Sequence, residues 1–238
     1  MAGNVLRHGP RYCESLDHLP QITGLDGDLK NVQRPSAVKS ILSQVPPPAR
    51  VLEFGGGEPI VSGLLAELGY ETTLVDPYDG FGRGPTAYES FLQQFPHVKI
   101  VREYFRPGLP DIVPQSFDAI LSVSVLEHLE GDSLTKCFDA VAEFLRPGGS
   151  SVHCFDMILQ GPGEAHDFVQ AQRIFAEQNR VISDATKDRS QSWWNDCARM
   201  SKLFSCRRRV TINGAAGVPI PTFRFERSCR CKWPGGAD

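Results

Sequence analysis

The sequence predicts an α/β fold built on a doubly wound, mostly parallel sheet of seven strands. Two observations support this prediction. Short β-branched and apolar runs alternate with helical periodicity from about residue 36 to residue 155, and three consecutive glycines follow the first strand-like run. Strands that alternate with helices at this spacing are typical of parallel sheets. The glycines interrupt the chain where such a sheet has its ligand crevice, at the carboxyl end of a strand.

The first part of the chain alternates regularly. Apolar residues at helical spacing predict a helix over residues 36–45, with Pro35 near its start and three prolines after its end. A strand over residues 50–54 leads into the glycines, and a helix over residues 60–68 is expected to stop at Gly69. The remaining predictions are strands over 72–75, 98–101, 117–123 and 150–155, and a mainly helical segment over 126–145.

This alternation stops after about residue 157. Two further helical stretches, one containing Trp193 and Trp194, predict a lid inserted between strands five and six. Late strand-like runs over residues 209–212 and 222–230 predict an antiparallel hairpin at one edge of the sheet. We therefore expect one domain over residues 1–238, made of an N-terminal arm (1–34), a core (35–157), a helical lid (158–205) and C-terminal strands (206–238).

Bulk properties exclude several classes of protein. A net charge of −3 and an isoelectric point near 6.1 give no general attraction to nucleic acid. No apolar run approaches the roughly 20 residues that a bilayer span requires, so no membrane span is predicted. The seven scattered cysteines suit the reduced thiols of a cytoplasmic protein. Whether the chain forms a homodimer stays open.

The glycine turn indicates the kind of ligand. Glycine lets the backbone turn sharply and approach a ligand without an intervening Cβ. Glu53 lies two residues before the first glycine, and its charge would repel the pyrophosphate of a dinucleotide. It favours instead a ligand that combines a positive group with hydroxyls. S-adenosylmethionine, with its sulfonium, ammonium and ribose, is such a ligand.

Four motifs in order extend this interpretation. They are Glu53-Phe54-Gly55-Gly56-Gly57, the strand-end Asp76, the segment SFDAILSVSVLEHL at 116–129, and Leu145-Arg146-Pro147-Gly148-Gly149. Over residues 36–156 this order resembles the class I S-adenosylmethionine-dependent methyltransferases, whose fold is Rossmann-like. One departure is Pro59, which stands where the family has its third glycine. Proline is well tolerated in the first turn of a helix, so we expect a helix to start there.

The resemblance implies a cofactor site at the strand ends. Gly55, Gly56 and Gly57 would line the methionine part of S-adenosylmethionine, with Glu53 near its amino group. Asp76 would accept hydrogen bonds from both ribose hydroxyls, because both carboxylate oxygens are acceptors.

The resemblance also implies contacts from the next two strands. Glu103 would lie near the adenine amino group, and Tyr104 offers a stacking surface. Ser122 and Ser124 would border the cofactor at the end of the fourth strand.

Methyl transfer depends mainly on alignment of the reacting atoms, and a base is needed only for a hydroxyl or protonated amine acceptor. The candidates for this role are Asp156, His153 and His128, each of which has a structural role as its alternative. No metal site is predicted, although a divalent cation held by Asp156, His166 and Asp167 is an alternative.

The resulting hypothesis is methylation of oxygen or nitrogen on a small molecule, such as a secondary metabolite, a sugar or a lipid-like acceptor, with release of S-adenosylhomocysteine. Two alternatives remain. An NAD(P)-linked oxidoreductase would need a G-x-G-x-x-G turn, which residues 55–60 do not supply. A non-catalytic relative would act as a partner protein.

Overall fold

The central sheet consists of parallel strands covered by helices on both faces. A computed structural model of the chain describes residues 18–24, 28–80, 84–156 and 168–181. Within these residues five strands pair in the order β3-β2-β1-β4-β5. The strands are β1 (Arg50–Phe54), β2 (Glu71–Val75), β3 (Val98–Val101), β4 (Phe117–Val123) and β5 (Leu145–Cys154).

Five α-helices connect or flank these strands in the described part of the chain. They are α1 (Lys30–Gln44), α2 (Ile60–Glu67), α3 (Tyr88–Gln94), α4 (Asp132–Phe144) and α5 (Phe168–Val181), with 3-10 turns at Pro20–Ile22 and Leu126–His128. None of the helices described here is long and apolar enough to cross a membrane.

The strand order places a crevice beside β1. Successive strands β1, β2 and β3 extend the sheet in one direction, whereas β4 returns to the other side of β1. Val51 of β1 is therefore opposite Thr72 on one side and Ala119 on the other. Crossover connections leave opposite faces of the sheet at such a switch point, so a crevice opens at the carboxyl ends of the strands.

Strand alternation divides the core between the two faces. Val51, Ala119 and Leu121 point to the face covered by α1 and α2, where they meet Ile41 and Leu65. The strand residues between these point to the other face, where they pack against α4 and α5. This second group contains Leu52, Phe54, Ile120, Leu134, Phe138, Phe144 and Ile174. Both faces of each central strand are buried, as expected for a parallel sheet.

The first helix differs from the prediction. It begins at Lys30, and Pro35 is its sixth residue instead of marking its start. Two features offset the backbone hydrogen bond that proline cannot donate. The Asp28 carboxylate accepts the Lys30 amide at 2.9 Å, and Pro35 is buried together with Ala37. Asp28 precedes the N-cap residue Leu29, and its carboxylate provides an acceptor for the first amide of the helix.

The segment predicted to be mainly helical over 126–145 is so in the structure, but it is divided in two. A single 3-10 turn, Leu126–His128, precedes Gly131, whose φ of +52° marks a break before α4. Strand β5 then starts at Leu145 and not at residue 150. Its register passes from Phe117↔Leu145 to Ala119↔Ser150, so the intervening turn forms a bulge within the strand.

The other boundaries agree closely with prediction, apart from α3, which was not predicted. Pro59 directly precedes α2, in agreement with a helix start at that point. Helix α5 corresponds to the first helical stretch of the predicted lid, and its Ile174 is buried in the same core cluster as residues of α4. The second helical stretch of the lid, the sixth and seventh strands and the antiparallel hairpin lie outside the described residues.

Candidate functional site

The glycine turn after β1 is shaped by steric demands that only glycine meets. Gly55 and Gly57 have φ values of +66° and +60°, a region that residues with a Cβ rarely adopt. A Cβ on Gly55 would lie 2.7 Å from a methyl group of Val125, and one on Gly56 would lie 2.7 Å from the Glu53 carboxyl carbon. The turn therefore packs against its surroundings through bare backbone.

Asp76, at the end of β2, holds the neighbouring loop to this turn. Its carboxylate oxygens accept the amide hydrogens of Gly57 at 3.0 Å and Tyr78 at 2.9 Å, and the Tyr78 hydroxyl donates to the Gly57 carbonyl at 2.7 Å. Burial raises the pKa of Asp76, and the two amide hydrogen bonds oppose that rise. Each oxygen keeps a second lone-pair site, so Asp76 can accept hydrogen bonds from a ligand as well.

Glu53 is a buried carboxylate beneath the turn. Only 2% of the residue is exposed, and its Oε2 accepts both the Ser62 amide, at 3.0 Å, and the Ser62 hydroxyl. Burial raises the pKa of Glu53 to about 7, while the hydrogen bonds from Ser62 and the positive charge of Arg34 oppose this rise. A carboxylate with such a pKa changes charge near neutral pH.

A cleft opens above the turn, at the switch point of the sheet. It brings together predicted residues from β1, the glycine turn and the end of β4 with residues of α1 that the sequence motifs did not indicate. Its lining consists of Lys30, Arg34, Glu53, Gly55, Gly56, Glu58, Val61, Val123 and Ser124.

A chain of hydrogen bonds links the ends of β4 and β5 to helix α1. The Ser124 hydroxyl donates to the Gln33 side-chain oxygen at 2.7 Å, and the Gln33 side-chain nitrogen donates to Asp156 Oδ1 at 2.8 Å. The Asp156 amide donates in turn to Glu127 Oε1 at 3.2 Å. The partly buried Asp156 carboxylate is thus held at the carboxyl edge of the sheet, beside the cleft residue Ser124.

His153 and Ser122 lie on the opposite face of their strands, away from that chain. His153 Nδ1 is 2.9 Å from the Ser122 hydroxyl oxygen, and its Nε2 is 2.6 Å from that of Ser151. The imidazole packs against the rings of Phe54 and Phe138, at centroid distances of 5.6 and 5.7 Å. Burial lowers the pKa of His153 to about 3, because a charged imidazole would lose its hydration there.

We predict that His153 stays neutral throughout the pH range in which an ordinary histidine titrates. Nitrogen NMR of the imidazole should show constant shifts from pH 8 down to about 5, whereas an unperturbed histidine titrates near 6.5. His128, in contrast, is exposed in the 3-10 turn after β4. A titration of His153 with a midpoint near 6 would contradict the buried environment.

The remaining predicted residues, Glu103 and Tyr104, lie after the end of β3. Glu103 is exposed and 3.9 Å from the Arg106 guanidinium. Tyr104 is 55% exposed, and its hydroxyl donates to Asp79, in the loop that follows Asp76. The loops after β2 and β3 are therefore in contact at the carboxyl edge of the sheet.

Sequence reasoning missed three residues of α1 at this site, namely Lys30, Gln33 and Arg34. They follow each other at helical spacing, which places them on one face, but a helix assumed to start after Pro35 excludes them. The carboxylate of Asp28, which accepts the first amide of the helix, was the signal that could have revealed them. Within the described residues, no group of three or more metal-ligating side chains occurs, and His166 and Asp167 lie outside those residues.

Similar proteins support the assignment of a family. Residues 30–197, well over half of the chain, match the family described as "Methyltransferase domain". Two uncharacterized proteins of Mycobacterium tuberculosis, MT1557 of strain CDC 1551 / Oshkosh and Rv1509 of strain H37Rv, are each 30% identical to the chain over 112 residues. That alignment covers 46% of this chain and 36% of each relative, about a third of the relative's length.

Solved structures that resemble this chain include a TehB-like SAM-dependent methyltransferase from Corynebacterium glutamicum. It has a TM-score of 0.48 and 20% identity, with 61% of this chain and 71% of that chain covered. The glycopeptide N-methyltransferase MtfA in complex with S-adenosylmethionine has a TM-score of 0.43 and 17% identity, with 52% and 56% covered. On the match over residues 30–197, the chain belongs to the methyltransferase-domain family, as its ordered motifs predict.

Proposed function

We propose that the chain binds S-adenosylmethionine in the cleft above β1 and methylates oxygen or nitrogen of a small-molecule acceptor. One observation carries the cofactor assignment. The glycine turn and the buried Asp76 carboxylate meet at the switch point of the sheet, joined by the 3.0 Å hydrogen bond from the Gly57 amide. This arrangement offers bare backbone beside an acceptor group that suits a diol.

The residues present suit S-adenosylmethionine in charge and shape. Gly55 and Gly56 line the cleft without side chains of their own, so an extended amino-acid chain can lie against the backbone there. Asp76 would hold the ribose hydroxyls, and Tyr104 and Glu103 would lie towards the adenine. When bound, S-adenosylmethionine supplies a methyl group activated by its sulfonium, so the protein need only align the acceptor.

We assign the acceptor side to Asp156. Gln33 holds one of its carboxylate oxygens at 2.8 Å, which fixes the side chain at the carboxyl edge of the sheet. A hydroxyl or protonated amine must lose a proton during methylation, and we assign acceptance of that proton to the Asp156 carboxylate. We assign His153 a structural role, because both of its ring nitrogens contact serine hydroxyls of the sheet.

The proposal for a small acceptor rests on charge and organisation. The acidic balance of the chain disfavours nucleic acid, and the remainder of the predicted lid, on either side of α5, would enclose a small molecule beside Asp156. The scattered cysteines favour a cytoplasmic location. A homodimer is compatible with this proposal and is not required by it.

Calorimetric titration tests the cofactor assignment. We expect S-adenosylhomocysteine and S-adenosylmethionine to bind with one site per chain and dissociation constants in the micromolar range or tighter. NAD should give no heat of binding, because its pyrophosphate would approach Glu53. Binding of NAD without binding of either sulfur compound would overturn the proposal.

A further inference from the structure

Helix α1 brings two basic side chains to the cleft. Lys30 and Arg34 are four residues apart, which places them one above the other on the same helical face. Both line the cleft, together with the glycine turn and Glu53. Neither belongs to a motif by which the cofactor site was predicted, so their presence there needs a separate explanation.

These two cations differ from three arginines near the sheet that pair with carboxylates. Arg50, Arg146 and Arg180 each form an ion pair with a carboxylate within 4.0 Å. Among the described residues, neither Lys30 nor Arg34 has such a pair. Both are only partly exposed, so their charges are concentrated towards the cleft instead of being fully solvated. A partly buried cation of this kind favours an anionic ligand.

The opposite charge lies in the same cleft. The Glu53 carboxylate lies under Gly56, 2.7 Å from where a Cβ of that glycine would stand, and it also borders the cleft. Arg34 is close enough to oppose the rise in the pKa of Glu53. The cleft therefore presents positive charge from α1 and negative charge from β1, separated by the bare backbone of the turn. A zwitterion has the complementary pattern.

We propose that Arg34, assisted by Lys30, binds the α-carboxylate at the amino-acid end of the cofactor, while Glu53 faces its α-ammonium group. This inference rests on the proposed function, since it concerns the same cleft. A guanidinium can donate two parallel hydrogen bonds to a carboxylate, which gives both strength and orientation. The pair on α1 thereby selects ligands with a free carboxylate over adenine nucleosides that lack one.

The test compares ligands that differ in this one group. S-adenosylhomocysteine, its decarboxylated analogue and 5′-methylthioadenosine are titrated calorimetrically into the full chain. The wild type should bind S-adenosylhomocysteine at least roughly tenfold more tightly than the decarboxylated analogue, the effect of one charged hydrogen bond. In Arg34→Gln the affinity for S-adenosylhomocysteine should fall roughly ten- to one-hundredfold, whereas that for the analogue should change less than about threefold.

Lys39 provides a matched control on the same helix. It lies outside the cleft lining, with its Nζ 2.9 Å from His18 Nδ1, so Lys39→Gln removes a charge from α1 without touching the site. This variant should retain the wild-type preference for S-adenosylhomocysteine. Arg34→Lys keeps the charge but loses the forked geometry, and it should fall between the wild type and Arg34→Gln.

Two results would overturn the inference, and both differ from failure of the proposed function. Equal affinity of the wild type for S-adenosylhomocysteine and the decarboxylated analogue would show that the carboxylate is not bound, whatever the variants do. An equal loss of affinity for both ligands in Arg34→Gln would show that Arg34 supports the structure of the cleft and does not bind the carboxylate. In either case S-adenosylhomocysteine would still bind the wild type, whereas failure of the proposed function would abolish that binding.

Discussion

Replacing Asp76 with alanine is expected to weaken binding of S-adenosylhomocysteine by roughly 1–3 kcal/mol, the range for hydrogen bonds to a charged group. The carboxylate would lose its contacts with the ribose hydroxyls. It would also release the Gly57 and Tyr78 amides, which it holds at 3.0 and 2.9 Å. Calorimetry with S-adenosylhomocysteine measures the affinity, and thermal unfolding without ligand measures the cost to the fold.

A variant of a second carboxylate, Asp118, serves as the control that distinguishes loss of ligand contacts from loss of stability. Asp118 lies on β4 near the opposite edge of the sheet, where it accepts the Arg50 amide at 2.7 Å and pairs with Arg146 at 2.7 Å. Asp118→Asn should lower the unfolding temperature without changing the affinity of the folded protein. If Asp76→Ala left the affinity unchanged, the ribose would have to lie elsewhere.

Replacing Glu53 with glutamine is expected to change how the free energy of unfolding depends on pH. In the folded wild type the pKa of Glu53 is raised from 4.5 to about 7 by burial. Between these values the unfolded chain loses the proton while the folded chain keeps it, so ionisation favours unfolding as pH rises. The wild type should therefore lose about 3 kcal/mol relative to Glu53→Gln between pH 4.5 and pH 7, at 1.36 kcal/mol per pKa unit.

Glutamine preserves the local structure in this comparison. Its side-chain oxygen can still accept hydrogen bonds from the Ser62 amide and hydroxyl, which Glu53 Oε2 now accepts. Denaturant unfolding at several pH values gives both curves. Glu58→Gln is the control, since Glu58 is exposed on the same turn and should leave the pH dependence of the wild type intact. Parallel stability curves for wild type and Glu53→Gln would contradict the buried, high-pKa carboxylate.

The same Glu53→Gln substitution should weaken binding of the cofactor, although it stabilises the ligand-free protein at pH 8. An ammonium group near Glu53 favours the ionised carboxylate, so binding at pH 7 should release protons. Calorimetry in buffers of different ionisation enthalpy detects that release. Glu53→Gln should bind S-adenosylhomocysteine roughly tenfold less tightly and release fewer protons. This opposition between stability and binding is typical of a carboxylate retained for a ligand.

Much of the fold could be predicted because several strands have unambiguous patterns. The predicted bounds of β1, β3 and β4 agree with the structure, since each is a short apolar run bounded by glycine, proline or polar residues. Helix α3 was missed because it is one short stretch of seven residues with a single buried side chain, Phe91. Such a stretch has too little periodicity to be distinguished from a loop.

The part of the site at the strand ends was more predictable from the sequence than the part formed by α1. The glycines, Glu53 and Asp76 occur in contiguous motifs at strand ends, where topology brings them together. Lys30, Gln33 and Arg34 reach the site only because α1 runs through Pro35, a result of tertiary packing that local rules disfavour. Strand alternation alone would place Ser122 and Ser124 on one face, because residues two apart in a strand share a face. The structure separates them because Ser124 lies just beyond the end of β4 with a φ of +54°.

The most direct measurement is a crystal structure of the full chain with S-adenosylhomocysteine. We expect the ribose hydroxyls to lie at hydrogen-bond distance from the Asp76 carboxylate oxygens, about 2.7–3.0 Å. The amino-acid chain should lie over Gly55 to Gly57, with its carboxylate at Arg34 and its ammonium group towards Glu53. A ligand bound away from the switch point of the sheet, or with its ribose remote from Asp76, would contradict the proposed cofactor site.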